Sequence, residues 1–208
     1  MMRHKIFSVY FSVLTGLAFF ASAVVDAQQN TASNETVSTY TWHDGSRKRT
    51  VRLNMEQIIE FNPDTKGQDA VKTIAPLAIQ KKPGNKAIRI WSIKGSLDAK
   101  ATLRKLKSTQ PNKRYSEVFQ EGVSGSGRKR ALPGNVIVHL DPAWDQQRVD
   151  DWLAARKLQL VKKLDFGKNI LIIKTAAGLA SLEKANEIYN SGEVVAAYPN
   201  WWKEVSKK

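Results

Sequence analysis

From Asn135 onward, short apolar runs alternate with amphipathic stretches. Asn135-Val136-Ile137-Val138-His139-Leu140 has the length and β-branched content of a strand. Asp141-Pro142 predicts a helix start, and Val149, Trp152, Leu153 and Arg156 then recur at helical spacing through Lys157. Leu158 to Leu164 predicts a second strand, Asp165-Phe166-Gly167-Lys168 a turn, and Asn169 to Lys174 a third strand. Gly178 to Asn190 reads as a helix with Leu179, Leu182, Ala185, Asn186 and Tyr189 on one side. Ser191-Gly192 closes that helix, glycine taking a left-handed cap, and Glu193 to Tyr198 is a fourth strand. The order is βαββαβ. Right-handed crossovers put both helices on one face of a four-stranded antiparallel sheet. The predicted fold class is therefore α+β: a two-layer, ferredoxin-like sandwich preceded by a smaller β-rich region.

That earlier region is less regular. Tyr40, Trp42, Val51 and Leu53 alternate with polar residues on either side of Asp44-Gly45, which predicts a hairpin turning at that dipeptide. Met55 to Phe61 reads as either a short helix or a strand, stopped by Asn62-Pro63. Ala87 to Ile93 alternates as a strand, and Leu97 to Lys107 reads as a short basic helix. His43 is expected to be a surface residue beside the turn.

The predicted sandwich leaves one sheet face without helices, and such a face ordinarily alternates to polar residues. Ile170-Leu171-Ile172-Ile173 and Val136-Ile137-Val138 do not alternate. Either the N-terminal region folds over the second apolar face or another protein does.

Ahead of these elements, Arg3 and Lys5 precede an apolar run from Ile6 to Phe20, and Ala21-Ser22-Ala23 and Val25-Asp26-Ala27 each offer a small-x-small cleavage pattern. Residues 1–27 are thus expected to be a signal peptide, cleaved after Ala23 or Ala27, and the chain to work in the periplasm or outside the cell. No membrane contact is expected after cleavage. Residues 28–39 read as a flexible arm, 40–123 as the β-rich region, 124–134 as a basic Gly/Ser linker, 135–202 as the sandwich and 203–208 as a tail.

The 208 residues carry 33 Lys and Arg against 19 Asp and Glu, a net charge of +14, with no cysteine and three histidines. Absence of cysteine excludes disulfides, thiolate metal sites and a Cys nucleophile. His4, His43 and His139 are scattered with no paired ligand spacing, so no metal or cofactor is expected. The excess charge is uneven: residues 28–134 carry +11 and residues 135–208 only +2. A field of that sign favours polyanions or an acidic protein partner. Nucleic acid is not expected in an exported chain without a basic-aromatic recognition motif.

Three stretches carry a resemblance: Val136-Ile137-Val138-His139-Leu140-Asp141-Pro142, Leu158-Gln159-Leu160-Val161-Lys162-Lys163-Leu164, and Val194-Val195-Ala196-Ala197-Tyr198-Pro199-Asn200-Trp201-Trp202. With the βαββαβ order, they make residues 135–202 resemble the N-terminal prodomain of subtilisin-family serine proteases, in its fervidolysin-type form. No Gly-Thr-Ser-Met-type nucleophile segment or catalytic histidine accompanies it. The chain is therefore similar to the free-standing external chaperones of kexin-like secreted bacterial subtilases.

The resemblance implies a non-catalytic chaperone and inhibitor, monomeric until it meets its protease. It implies that the open sheet face packs on the protease, with Ile137, His139, Leu171, Ile173, Tyr198, Trp201 and Trp202 as interface candidates. It also implies that the tail lies product-like in the substrate cleft through Val205, Ser206, Lys207 and Lys208, the two lysines matching a preference for paired basic residues. Asp165, in the turn between the second and third strands, either caps a helix of the partner or caps its own backbone. Arg128, Lys129 and Arg130 are either a processing site for the same protease or a solvated linker. The competing reading is an exported basic protein that binds polyanions, separable by its steep salt dependence. A hydrolase would need a nucleophile-base pair or metal site that the sequence lacks.

Overall fold

A computed structural model describes residues 38–63, 69–81, 87–122, 124 and 126–205. The expected signal peptide lies outside the described residues, as does the expected arm up to residue 37.

The fold is α+β, with two antiparallel sheets. The first elements in the chain are β1 (Thr39–Asp44), β2 (Arg47–Phe61), α1 (Ala70–Ile74), β3 (Ile79–Lys81), β4 (Ile88–Ser92), α2 (Ala99–Thr109), β5 (Arg114–Glu121) and β6 (Lys129–Ala131). They are followed by β7 (Asn135–His139), α3 (Gln146–Ala155), β8 (Leu160–Lys163), β9 (Ile170–Lys174), α4 (Leu179–Asn190), β10 (Ala196–Pro199) and β11 (Trp202–Lys203). One sheet runs β11-β6-β5-β2-β4-β3 with β1 added on β2; the other runs β10-β7-β9-β8.

The β1–β2 hairpin forms as its alternation predicts, with a different turn. Asp44 pairs with Arg47, so the turn residues are Gly45-Ser46 rather than Asp44-Gly45. Gly45 takes φ +60 at the first central position, where a two-residue hairpin of this hand requires glycine. Thr39 is already paired with Arg52, so the expected arm ends before it. Met55 to Phe61 continues β2 as a strand. The register slips between Asn54 and Ile58, where Asn54 Oδ1 accepts the Glu56 N–H at 2.9 Å. This bulge breaks the period of two and conceals a single 15-residue strand in the sequence.

Helices α2 and α3 each begin on an aspartate. Asp98 accepts the Ala101 N–H at 2.6 Å to start α2, and Asp145 accepts the Arg148 N–H at 2.8 Å to start α3. The start of α3 thus falls four residues beyond the expected Asp141-Pro142, because Asp141 spends its carboxylate on the Ala143 N–H in a preceding turn. Gly192 follows the end of α4 at φ +73, as its sequence position predicts.

Within the expected linker, residues 124–134, Lys129–Ala131 form a strand. β6 pairs with β5 on one side and β11 on the other, so its amides and carbonyls are already committed. All described residues fall in one compact unit. α4 joins its parts: Ala185 and Ile188 pack with Val136, Val138, Leu171 and Ile173 of the four-stranded sheet, while Leu182 packs with Trp42, Val51, Leu53 and Phe119 of the larger one. Glu117 of β5 fastens the start of α4, accepting the Leu179 N–H at 3.0 Å and pairing with Lys107 at 3.3 Å.

Glu117→Ala should therefore destabilise the chain by about 1–3 kcal/mol, since it strands a partly buried amide and a cation. Thermal unfolding by circular dichroism should register a fall of about 2–4 °C for each kcal/mol. An unchanged midpoint would remove Glu117 from the junction.

Candidate docking face

The four-stranded sheet separates its apolar residues by parity. Val136, Val138, Leu171, Ile173 and Ala197 turn toward α3 and α4 and are fully or nearly buried. Opposed residues on paired strands share a face. Tyr198 opposes Ile137, Ile137 opposes Ile172, and Ile172 opposes Lys162, which makes one row across all four strands on the side away from the helices. Ala196, His139 and Ile170 make the next row. Ile137, His139, Ile170, Ile172 and Tyr198 are half-buried.

Of the seven interface candidates, Ile137 and His139 lie on this open face; Tyr198 shares its row but packs against the cluster of Trp42, Val51, Leu53, Phe119, Leu132 and Leu182. Leu171 and Ile173 do not: they sit in the core under the helices, and Ile170 and Ile172 hold the outward positions. An unbroken apolar run hides which parity faces the helices, so sequence alone selects the wrong pair. Large apolar residues are also exposed around the rim of this sheet: Val161 is 53% exposed at the β8 register shift, Phe166 76% in the β8–β9 turn and Val195 63% before β10. Phe166 had a visible signal, an aromatic ring in a four-residue polar turn. Asn169, buried and at φ +59, supports that end of the sheet by donating to the Asp141 and Trp144 carbonyls at 2.9 and 3.0 Å.

His139 Nε2 and the Tyr198 hydroxyl are 3.0 Å apart. Burial lowers the pKa of His139 and raises that of Tyr198, with Asp44 adding to the latter. β1 packs against β10 and α4, so the N-terminal region covers the β10 edge and the outer side of that helix.

Trp201 and Trp202 belong to other surroundings. The Trp201 ring lies 5.7 Å from Trp42 and 5.5 Å from Phe119, with the Arg130 guanidinium over both tryptophans. Trp202 packs on the cluster of Ile59, Phe61, Ile88, Ile90, Val118 and Ala131. Pairing in β11 carries the chain away from the open face immediately after Asn200.

The same pairing shortens the expected tail. Lys203 opposes Arg130, the Glu204 N–H donates to the Lys129 carbonyl at 3.0 Å, and Lys129 pairs with Glu204 at 3.7 Å. Val205 is the first unanchored residue, at 88% exposure; Ser206, Lys207 and Lys208 lie outside the described residues. Of the three basic residues, Arg128 is exposed outside β6, whereas Lys129 and Arg130 are half-buried. The Arg128 carbonyl accepts the Glu121 N–H, while Lys129 and Arg130 lie in β6, with Arg130 also ion-paired to Glu121. Asp165 is exposed in its turn beside Phe166, and its carboxylate has no hydrogen-bond or ion-pair partner among the described residues, so it does not cap its own backbone. His43, expected as a surface residue, stacks on Tyr189 at 3.9 Å.

Among the described residues, no cluster of three or more His, Asp or Glu side chains is placed to hold a metal ion. No family model, curated protein or solved structure matches the chain.

Because His139 is held below its ordinary 6.5, the unfolded chain binds a proton there that the folded chain resists. The stability involved is present above pH 6.5 and declines as pH falls through that value. His139→Gln should lessen the drop in unfolding temperature between about pH 7.5 and about pH 5.5; an equal drop in both proteins would assign the pH dependence elsewhere. Limited trypsin digestion followed by mass spectrometry should find Lys129 and Arg130 protected until the protein unfolds. Prompt cleavage there from the folded state would contradict the two-sided pairing of β6.

Proposed function

We propose that this chain is an external chaperone and inhibitor of a secreted, kexin-like protease of the subtilisin family, as its resemblance to those prodomains implies. We read β7 to β10 with α3 and α4 as a ferredoxin-like βαββαβ sandwich whose helix-free face is the docking surface. The observation that carries the reading is the apolar composition of that face. Ile137 and Ile172, paired on that face, with Phe166 exposed in the adjoining β8–β9 turn, are costly to leave in water and are relieved when a partner covers them.

Docking and inhibition then use separate parts. The open face packs on the protease, and Asp165 reaches from its rim to the amides at the start of a partner helix, where a carboxylate is favoured. The segment from Val205 to Lys208 enters the substrate cleft, with Lys207 and Lys208 meeting acidic specificity pockets. Anchoring as far as Glu204 fixes where the inserted segment leaves the fold and lowers the entropy lost when it is ordered. Because the face binds the folded protease and not the unfolded one, the same contacts favour folding by mass action. The expected signal peptide assigns the encounter to the periplasm or the exterior, and the chain is monomeric before it.

The test is inhibition of a purified kexin-like subtilase by the wild-type protein, by a form lacking residues 205–208, and by Ile172→Lys. The wild type should inhibit. The truncated form should still co-elute with the protease but lose most inhibition, and Ile172→Lys should lose both while retaining its unfolding temperature. Equal inhibition by all three would overturn the proposed roles of face and tail, and absence of binding by the wild type would overturn the function.

A further inference from the structure

A second surface, independent of the sheet face and of the protease reading, carries chemistry of its own. A cleft of about 870 Å³ is lined by the end of α2, the start of β5, the residues that follow α3, and the β9–α4 connection. Seven of its lining residues are Lys or Arg, and none is Asp or Glu. Three of these cations are answered from outside the lining: Lys107 by Glu117, Arg156 by Glu193 and Lys184 by Glu187. Lys107 and Arg156 also lie near helix C-termini, where the dipole favours positive charge.

Arg114 and Lys174 have neither compensation, and Lys157, next after the C-cap of α3, has only the second. Their side chains have no ion-pair or hydrogen-bond partner among the described residues, and they come from three separate places in the chain. Lys157 also follows the C-cap of α3 at φ +52, a left-handed position that glycine ordinarily fills. The chain therefore keeps a lysine where both backbone conformation and repulsion by its neighbours oppose one. Walls of low dielectric focus the field of such a cleft and concentrate anions in it.

We infer that the cleft binds a compact oligophosphate, several linked phosphate groups held at once by Arg114, Lys157 and Lys174. The planar fork of Arg114 suits phosphate oxygens, and two ammonium groups supply the point charges for its neighbours. Tyr115, the aromatic residue of the lining, is only 2% exposed and offers no face on which a nucleobase could stack. The ligand is recognised by charge and not by a base.

Titration calorimetry with inorganic tripolyphosphate tests the site. The wild type should bind one equivalent, and more tightly than it binds orthophosphate. Arg114→Gln, Lys157→Gly and Lys174→Gln should each weaken binding about tenfold, as expected for loss of one charge-assisted contact. Lys157→Gly should at the same time raise the unfolding temperature, because glycine accepts the left-handed backbone without strain. A structural lysine would not give these opposite effects. Arg47→Gln with Lys48→Gln, on the exposed β1–β2 hairpin, should leave affinity unchanged. Unsaturable binding, or an equal loss in the hairpin variant, would reduce the effect to the overall charge and overturn the site. Sedimentation with phosphatidylglycerol vesicles separates the two sources of phosphate. Pelleting that Lys174→Gln abolishes would assign a lipid headgroup and overturn the soluble ligand, whereas no pelleting supports it.

Discussion

Everything else in this fold depends on the burial of α4 from two sides. Ala185 and Ile188 close the core of the four-stranded sheet, and Leu182 enters the cluster of Trp42, Val51, Leu53 and Phe119. Asn186 donates to the Thr41 carbonyl at 2.8 Å, and Tyr189 stacks on His43. The apolar residues of α4 span one wide arc whose two flanks face different sheets, so neither sheet can be removed without exposing part of it. The N-terminal sheet is consequently committed to α4 and the β10 edge.

That commitment explains why an apolar sheet face remains half-exposed. It also governs the chain after β10. The Asn200 N–H donates to the Asn135 carbonyl, Trp201 inserts beside Trp42 and Phe119 under the Arg130 guanidinium, and β11 returns to the larger sheet. Any segment that reaches a partner therefore leaves from a fixed point at Val205. The proposed docking face and the anchor at Glu204 belong to the same compact unit, which would lower the ordering cost of engaging a partner through both.

The C-terminal elements were legible because their helices and strands follow one period each, with Gly192 and the apolar strands marking the boundaries. What failed had identifiable causes. The run from Ile170 to Ile173 is apolar at both parities, so it could not tell Leu171 and Ile173 from their outward neighbours. The bulge at Met55 interrupted the alternation of β2. Glycine and serine around residues 124–127 suggested a linker, whereas the strand identity of Lys129 to Ala131 comes from pairing with residues distant in sequence, which no local pattern records. The cleft is likewise non-local: Arg114, Lys157 and Lys174 are unremarkable lysines and arginines until the fold brings them together.

The central claim is that the helix-free face is where a protein partner binds. Hydroxyl-radical footprinting of the chain alone and in complex with a kexin-like subtilase would test it directly, because oxidation reports side chains and therefore distinguishes the two faces of one strand. The account predicts strong protection of Phe166 and Ile172 in the complex, with Tyr40 and Met55 of the β1–β2 hairpin unchanged. Protection confined to the hairpin, with Phe166 oxidised equally in both states, would contradict it.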